Sequence, residues 1–222
     1  MHSGPVSPEP VSASCPCVFI GLPRGGFQPR EPLFAPGHST PWPFSLLVLG
    51  QPHRATVVRQ LHAGHLVEGE PLVIKETGSF IYEEIDILGV PSYHDKCSGG
   101  DRGDNIIYKI IAGGINLVHL GDLGHILTDE QIEAIGTTDV LLLPVGGNYT
   151  VNADEAYEIA QQLKPKIIIP MHFKTPVNNF DIDPAEAFTA KFERFIKKPF
   201  LQINQSELDY PVQVIVLDYP VE

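Results

Sequence analysis

Ile115-Asn116-Leu117-Val118-His119-Leu120-Gly121-Asp122-Leu123-Gly124-His125 is the stretch whose reading decides the fold. A largely apolar, strand-like run ends abruptly at Gly121-Asp122, so a buried strand delivers a carboxylate into a turn. Working back, Ile106–Ala112 is a second strand-like run, joined to the first by Gly113-Gly114. A glycine pair between such runs predicts a hairpin, because both turn positions can take positive φ. Working forward, Thr128-Asp129-Glu130-Gln131 has the pattern of a capping box, with Gln131 three residues after the Thr128 cap. The short helix it starts is predicted to stop at Gly136 in the left-handed conformation. Val140–Leu143 reads as a buried strand. Asn152 then caps a helix whose Ala156, Ile159, Ala160 and Leu163 form one apolar stripe, ending at Lys164-Pro165. Ile167-Ile168-Ile169 is the next buried strand. Strands alternating with helices predict parallel pairing, with helices packed over an α/β sheet. Further out, Val73-Ile74 and Ile85–Leu88 read as short strands. Val212–Leu217 is a last one, after a helix in Ala185–Ile196.

At 222 residues the chain is long enough for one substantial domain with a real core. Its formal charge, 15 − 27 = −12, repels phosphate backbones and sets nucleic acid aside as a default partner. The basic stretch Lys191, Arg194, Lys197 and Lys198 reads as a solvated helix face. Cys15, Cys17 and Cys97 leave one thiol over if two pair, which suits a reducing cytosol better than a disulfide framework. Ser45–Leu49 is too short for a signal core or a membrane span. The expectation is a soluble cytoplasmic protein with neither nucleic acid nor membrane as partner. Residues 1–50 hold 10 of the 21 prolines and only two acidic residues, Glu9 and Glu31. Text such as Pro41-Trp42-Pro43 lacks the donors a sheet interior needs. Residues 1–62 are therefore expected to be a disordered, extended leader, and 63–222 the folded domain.

Ligands of open α/β sheets bind outside the carboxyl ends of the strands. Gly121-Asp122, Gly146-Gly147 and Met171-His172 each follow a predicted strand, and His94, in Pro91–Asp95, follows Ile85–Leu88. Carboxylate oxygen and imidazole nitrogen are ligands for zinc, manganese or iron. Taken singly, each residue has a plainer account: Asp122 as a turn residue, His172 as a half-buried histidine, His94 as a loop residue and Asp95 as a solvated charge. Cys97 reads as a loop cysteine. Gathered at strand ends, they predict a cleft able to take a metal.

Tyr93-His94-Asp95, Arg102-Gly103-Asp104-Asn105, His119–His125, Asp139–Gly147, Tyr149-Thr150 and Pro170–Thr175 occur in that order. Together they resemble the ascorbate-6-phosphate-lactonase-like branch of the metallo-β-lactamase superfamily, from about His65 to at least Thr175. The resemblance implies an αββα sandwich, incomplete in its first sheet, with one or two metal ions at the edge of the sheets. It implies hydrolysis of a small ester, lactone or phosphorylated substrate by a metal-activated water. His94 would serve one ion, the catalytic Asp122 would bridge both, and His172 would serve the second. The metal would be zinc, with manganese or iron as alternatives. Gly146-Gly147 lets backbone approach the rim. His119 and His125 either support Asp122 or serve strand packing and the start of a helix.

The front of the chain departs from that family. A Gly-His-Ser segment and a His-x-His-x-Asp-His loop should come first, the loop near residues 56–61. Those positions read Thr56-Val57-Val58-Arg59-Gln60-Leu61. His62 and His65 lack the spacing, and Gly37-His38-Ser39 lacks strand context. Each ion is left with two protein ligands, short of the three usual in catalytic zinc sites. Two readings result: a metal-dependent hydrolase, or a catalytically compromised or non-enzymatic relative that keeps the fold. Residues 1 to about 62 then read as text from a shifted frame, an idea that fails if neither other frame of the gene encodes the missing loop. A sheet without its neighbours would favour homo-oligomers.

Overall fold

A computed structural model of the chain describes residues 72–82, 84–176, 179–208 and 211–218. It also describes the backbone of three short strands ahead of them, β1 (Val18–Ile20), β2 (Leu47–Leu49) and β3 (Thr56–Val58). Everything else in the expected leader lies outside the described residues. The chain continues through β4 (Leu72–Ile74), β5 (Gly78–Tyr82), β6 (Ile85–Tyr93), β7 (Asp104–Ala112) and β8 (Ile115–His119). Then come α1 (Asp129–Ile135), β9 (Val140–Pro144), α2 (Ala153–Leu163), β10 (Ile167–Met171) and α3 (Glu186–Thr189). Strands β11 (Phe195–Lys198), β12 (Leu201–Ile203) and β13 (Gln213–Leu217) complete the order.

Eight strands make one mixed sheet in the order β11-β13-β10-β9-β8-β7-β6-β5. The glycine pair forms the predicted hairpin: Ala112 faces Ile115, and Gly113 and Gly114 take φ of 55° and 77°. The predicted parallel pairing is also present, β8 to β9, β9 to β10 and β10 to β13. Every residue of β9 and β10 is buried, as parallel strands covered on both faces require. Alternation divides them. Val118, Leu141, Ile168 and Val214 pack with Ala156 and Ile159 of α2 and Phe188 of α3. Leu117, Leu142, Ile169 and Ile215 point the other way, toward Ile74 of β4 and Leu201 and Ile203 of β12. The Tyr108 hydroxyl donates to the Ile74 carbonyl at 3.0 Å, tying the two layers together. Strands β2-β3-β4 and the pair β1-β12 form separate small sheets beside the large one. Strand pairing therefore crosses residue 62, because β3 runs parallel to β4.

Both predicted N-caps are complete capping boxes, Thr128 with Gln131 and Asn152 with Glu155. The α2 stripe is buried as predicted and gains Ala153. Three expectations need correction. Helix α1 does end at Gly136, but with φ 60° and ψ −139°. That is not the left-handed helical region; it is backbone space essentially restricted to glycine. The helix expected in Ala185–Ile196 is one turn, Glu186–Thr189, and its end becomes β11. Phe188 and Phe192 pack as a tilted pair, ring centroids 5.1 Å apart, on the α2 side, after which the chain pairs with β13 instead of coiling on. The basic residues Lys197 and Lys198 therefore lie on an exposed edge strand, not a helix face. Finally, the strand read as Ile85–Leu88 runs on to Tyr93. Partner β5 stops at Gly89, so Pro91 falls where β6 has only β7 beside it, a position proline tolerates. No helix among the described residues is long and apolar enough to cross a membrane.

Candidate functional site

Strand direction sets the site. β6 is antiparallel to β7 and β7 to β8, so β6 points the same way as the parallel run β8, β9, β10. The carboxyl ends of all four lie along one edge of the sheet. His94 directly follows β6, Asp122 lies just past β8, Gly146 just past β9, and His172 directly follows β10. All three predicted ligands thus share one rim. Strand spacing is about 4.8 Å, so β6 and β10 are separated by roughly 19 Å of backbone. Convergence depends on loops folding inward.

Close backbone contacts achieve the folding. The Gly124 N–H donates to the Tyr93 carbonyl at 3.0 Å. A Cβ on Gly124 would lie 2.4 Å from the carbonyl carbon of His94. The Gly121–Gly124 turn therefore rests directly on the His94 backbone. On the other side, a Cβ on Gly146 would lie 2.2 Å from the His172 carbonyl oxygen, and the Val145 N–H donates to Met171 at 3.0 Å. His172 takes φ 51°, a strained conformation for a residue with a side chain. Packing against Gly146 over-determines it.

Burial controls the charges. It pushes the Asp122 carboxyl up to about 7 and the His172 imidazole down to about 4. A smaller part of the His172 shift comes from the charge of His94. His94 is lowered too, first by burial and then by the Arg102 guanidinium. Both rings are thereby held neutral at pH 7, the form that donates a lone pair to a cation. The Nε2 of His94 and the Nδ1 of His172 are buried with no hydrogen-bond partner among the described residues.

Asn105, at the start of β7, braces the rim. Its Nδ2 donates to Ser92 Oγ at 2.6 Å and to the Leu120 carbonyl at 2.9 Å. Its Oδ1 accepts the Asp122 N–H at 3.0 Å. One buried amide thus links β6, β7 and the Asp122 turn. Sequence reasoning quoted Asn105 but gave it no role; the available signal was a polar residue at an inward position of an apolar strand. His119 accepts the Gly121 N–H on Nδ1 at 3.0 Å, so its proton sits on Nε2, buried without a partner among the described residues. It shapes the turn before Asp122. His125 uses both nitrogens, accepting the Tyr93 N–H at 3.2 Å and donating to Ile126 at 2.7 Å. Asp95 is a correction. It is buried, not solvated, and accepts the N–H groups of Cys97, Gly99, Asp101 and Arg102 at 2.7–3.0 Å. The Arg102 N–H first, and the others after it, hold its carboxyl well below the usual range. Cys97 is an exposed free thiol.

The donor chemistry suits a divalent ion: two neutral imidazole nitrogens, stripped of competing bonds, flank a buried carboxyl. The donor count is lower than a closed site needs. Among the described residues, no group of three or more His, Cys, Asp or Glu side chains gathers as a metal-holding cluster.

Residues 50–172, more than half of the chain, match the family described as a beta-lactamase superfamily domain. A UPF0173 metal-dependent hydrolase of Thermoplasma acidophilum is 34% identical over 145 residues, covering 65% of this chain and 62% of that protein. Another from Pyrococcus furiosus is 34% identical over 96 residues, covering 42% of each. The chain thus spans about half the length of such relatives. Among solved structures, a Thermotoga maritima protein assigned to the zinc-dependent hydrolases of the metallo-β-lactamase superfamily aligns with a TM-score of 0.66 at 34% identity. That alignment covers 74% of this chain and 89% of the other.

Proposed function

The chain belongs to the beta-lactamase superfamily, and from that premise we propose that it is a metal-dependent hydrolase whose His94, Asp122 and His172 hold one or two divalent ions. The observation that carries this reading is the pair of orphaned nitrogens, Nε2 of His94 and Nδ1 of His172, buried at the rim that also presents Asp122. His94 and His172 would supply imidazole nitrogens and Asp122 a carboxylate oxygen to such ions. Zinc is the first candidate, manganese and iron the alternatives. When bound, such an ion supplies Lewis acidity and an acidified water.

The protein's own contribution is positional. Asn105 and Gly121 orient the Asp122 turn, Gly146 seats His172, and the Asp95 loop seats His94. Burial holds the Asp122 carboxyl up to about 7, and a cation held beside it would favour its ionised form, because a nearby positive charge opposes the effect of burial. The substrate is a small ester, lactone or phosphorylated molecule handled in the cytoplasm, and residues 63–222 carry the catalytic body behind a proline-rich leader. The low donor count favours a second reading, a relative that keeps the fold with weak or no catalysis.

Metal content by mass spectrometry of the full chain and of Asp122→Ala separates them. One or two ions per chain, lost in the variant, supports the hydrolase. No ion in either protein sinks it and leaves the compromised relative.

A further inference from the structure

The chain has 27 acidic against 15 basic residues, yet a guanidinium stands at the mouth of the strand-end rim. Arg102 lies on the loop between β6 and β7, and its Cζ sits 5.6 Å from the centroid of the Tyr149 ring. Those two residues come from opposite sides of the site. The Arg102 loop is pinned beside His94, whose N–H donates to the Gly103 carbonyl at 3.0 Å. Tyr149 follows β9, and its N–H donates at 2.7 Å to Gly147, next to the Gly146 that seats His172. Arg102 and Tyr149 therefore meet across the rim.

The position is built. Asp95 accepts the Arg102 N–H at 2.7 Å along with three others, which fixes the loop before any ligand arrives. Tyr149 is buttressed edge-on by Phe180 at 5.9 Å. Asp101 and Asp104 flank Arg102 in sequence, but the guanidinium forms no ion pair among the described residues. At that distance the guanidinium makes a cation–π contact with the ring, which does not consume the hydrogen-bonding capacity of its N–H groups for two oxygens at once.

We propose that Arg102, laid over Tyr149, is the recognition residue for an anionic group on the substrate, a carboxylate or a phosphate, held beside the bond to be hydrolysed. This rests on the reading of the rim as a hydrolytic site and narrows its substrates to anions. A planar, bidentate, charge-assisted contact is what a guanidinium provides and a lone ammonium does not.

Inorganic phosphate and acetate, titrated calorimetrically into the full chain, test the proposal in chelator-treated and in zinc-supplemented protein. Saturable binding is expected in both states for at least one probe, and the better probe names the group. Arg102→Gln should weaken it by about tenfold or more, and Arg102→Lys by less. Arg102 is exposed, so both variants should keep the parent's unfolding midpoint. No saturable binding in the parent, or equal binding by Arg102→Gln, overturns the proposal. Zinc content of the same samples is read separately, so failure of the metal reading is distinguishable from failure of the anion site.

Discussion

The middle of the eight-stranded sheet and its edges are built differently, and the difference explains how the rim is held. Strands β9 and β10 bury every residue, whereas β11 buries none and β5 leaves Ile81 79% exposed. A strand with neighbours on both sides and cover on both faces has one available position, so the residue leaving its end inherits that precision. Asp122 and His172 leave such strands. His94 leaves β6 beyond the point where β5 stops pairing. It is held instead by loop devices: the Asp95 cage, the Gly124 contact and the Tyr93–His125 bond. His94 is thus positioned by polar loop bonds and His172 by packing, while Asp122 combines a buried strand before it with the Asn105 amide.

The largest effect on this contrast should come from Gly146→Ala. The added Cβ would lie 2.2 Å from a backbone oxygen in the centre of the rim, where neither chain can yield cheaply. A loss of about 3 kcal/mol or more in urea unfolding is expected, with loss of bound metal. An unchanged midpoint would break the claim that packing seats His172.

Asp122→Asn should have an intermediate effect, of opposite sign. In the metal-free fold Asp122 keeps its proton to about pH 7, against an ordinary value of 3.8. Its folded-state value is raised, so stability is full below about pH 4 and is lost as pH rises through 7. His172, lowered to about 4 from 6.5, works the other way and costs stability as pH falls through that interval. His119, also lowered by burial to about 4, adds to the His172 effect, so the two histidines outweigh Asp122 over that interval and the chelator-treated parent should be most stable near pH 6.5. Asp122→Asn removes the alkaline loss and should gain roughly 2–4 kcal/mol at pH 8. Parallel pH profiles for the two proteins would show that Asp122 is not buried as a neutral acid.

At the edge, Ile81→Thr should change stability by less than about 0.5 kcal/mol, because its side chain is already in water. A loss above about 1 kcal/mol in the same assay would mean that β5 is covered by something further and is no true edge.

Much of the centre was legible in the amino-acid text. Runs such as Val140–Leu143 and Ile167–Ile169 are long enough and apolar enough to be buried strands, and Thr128 and Asn152 announce helix starts through local hydrogen bonds. Gly113-Gly114 announces a turn for the same local reason. The edges were not legible. Phe195–Lys198 has a composition that suits helix or strand, and only pairing with β13 selected the strand. β12 is short and takes its meaning from β1, a partner far away in sequence.

The candidate site divides along the same line. That Asp122, His94 and His172 follow strand ends could be read from local pattern, since a strand, a glycine and a polar residue are neighbours in the chain. That they share one rim depends on β6, β8 and β10 pointing the same way, which strand pairing decides. The cage around Asp95 and the triple bond set of Asn105 were invisible beforehand. A carboxylate or an amide reads as solvated until the fold brings the N–H groups and carbonyls that replace water. Local propensity and periodicity act over a few residues, whereas burial and partner choice are properties of the assembled chain.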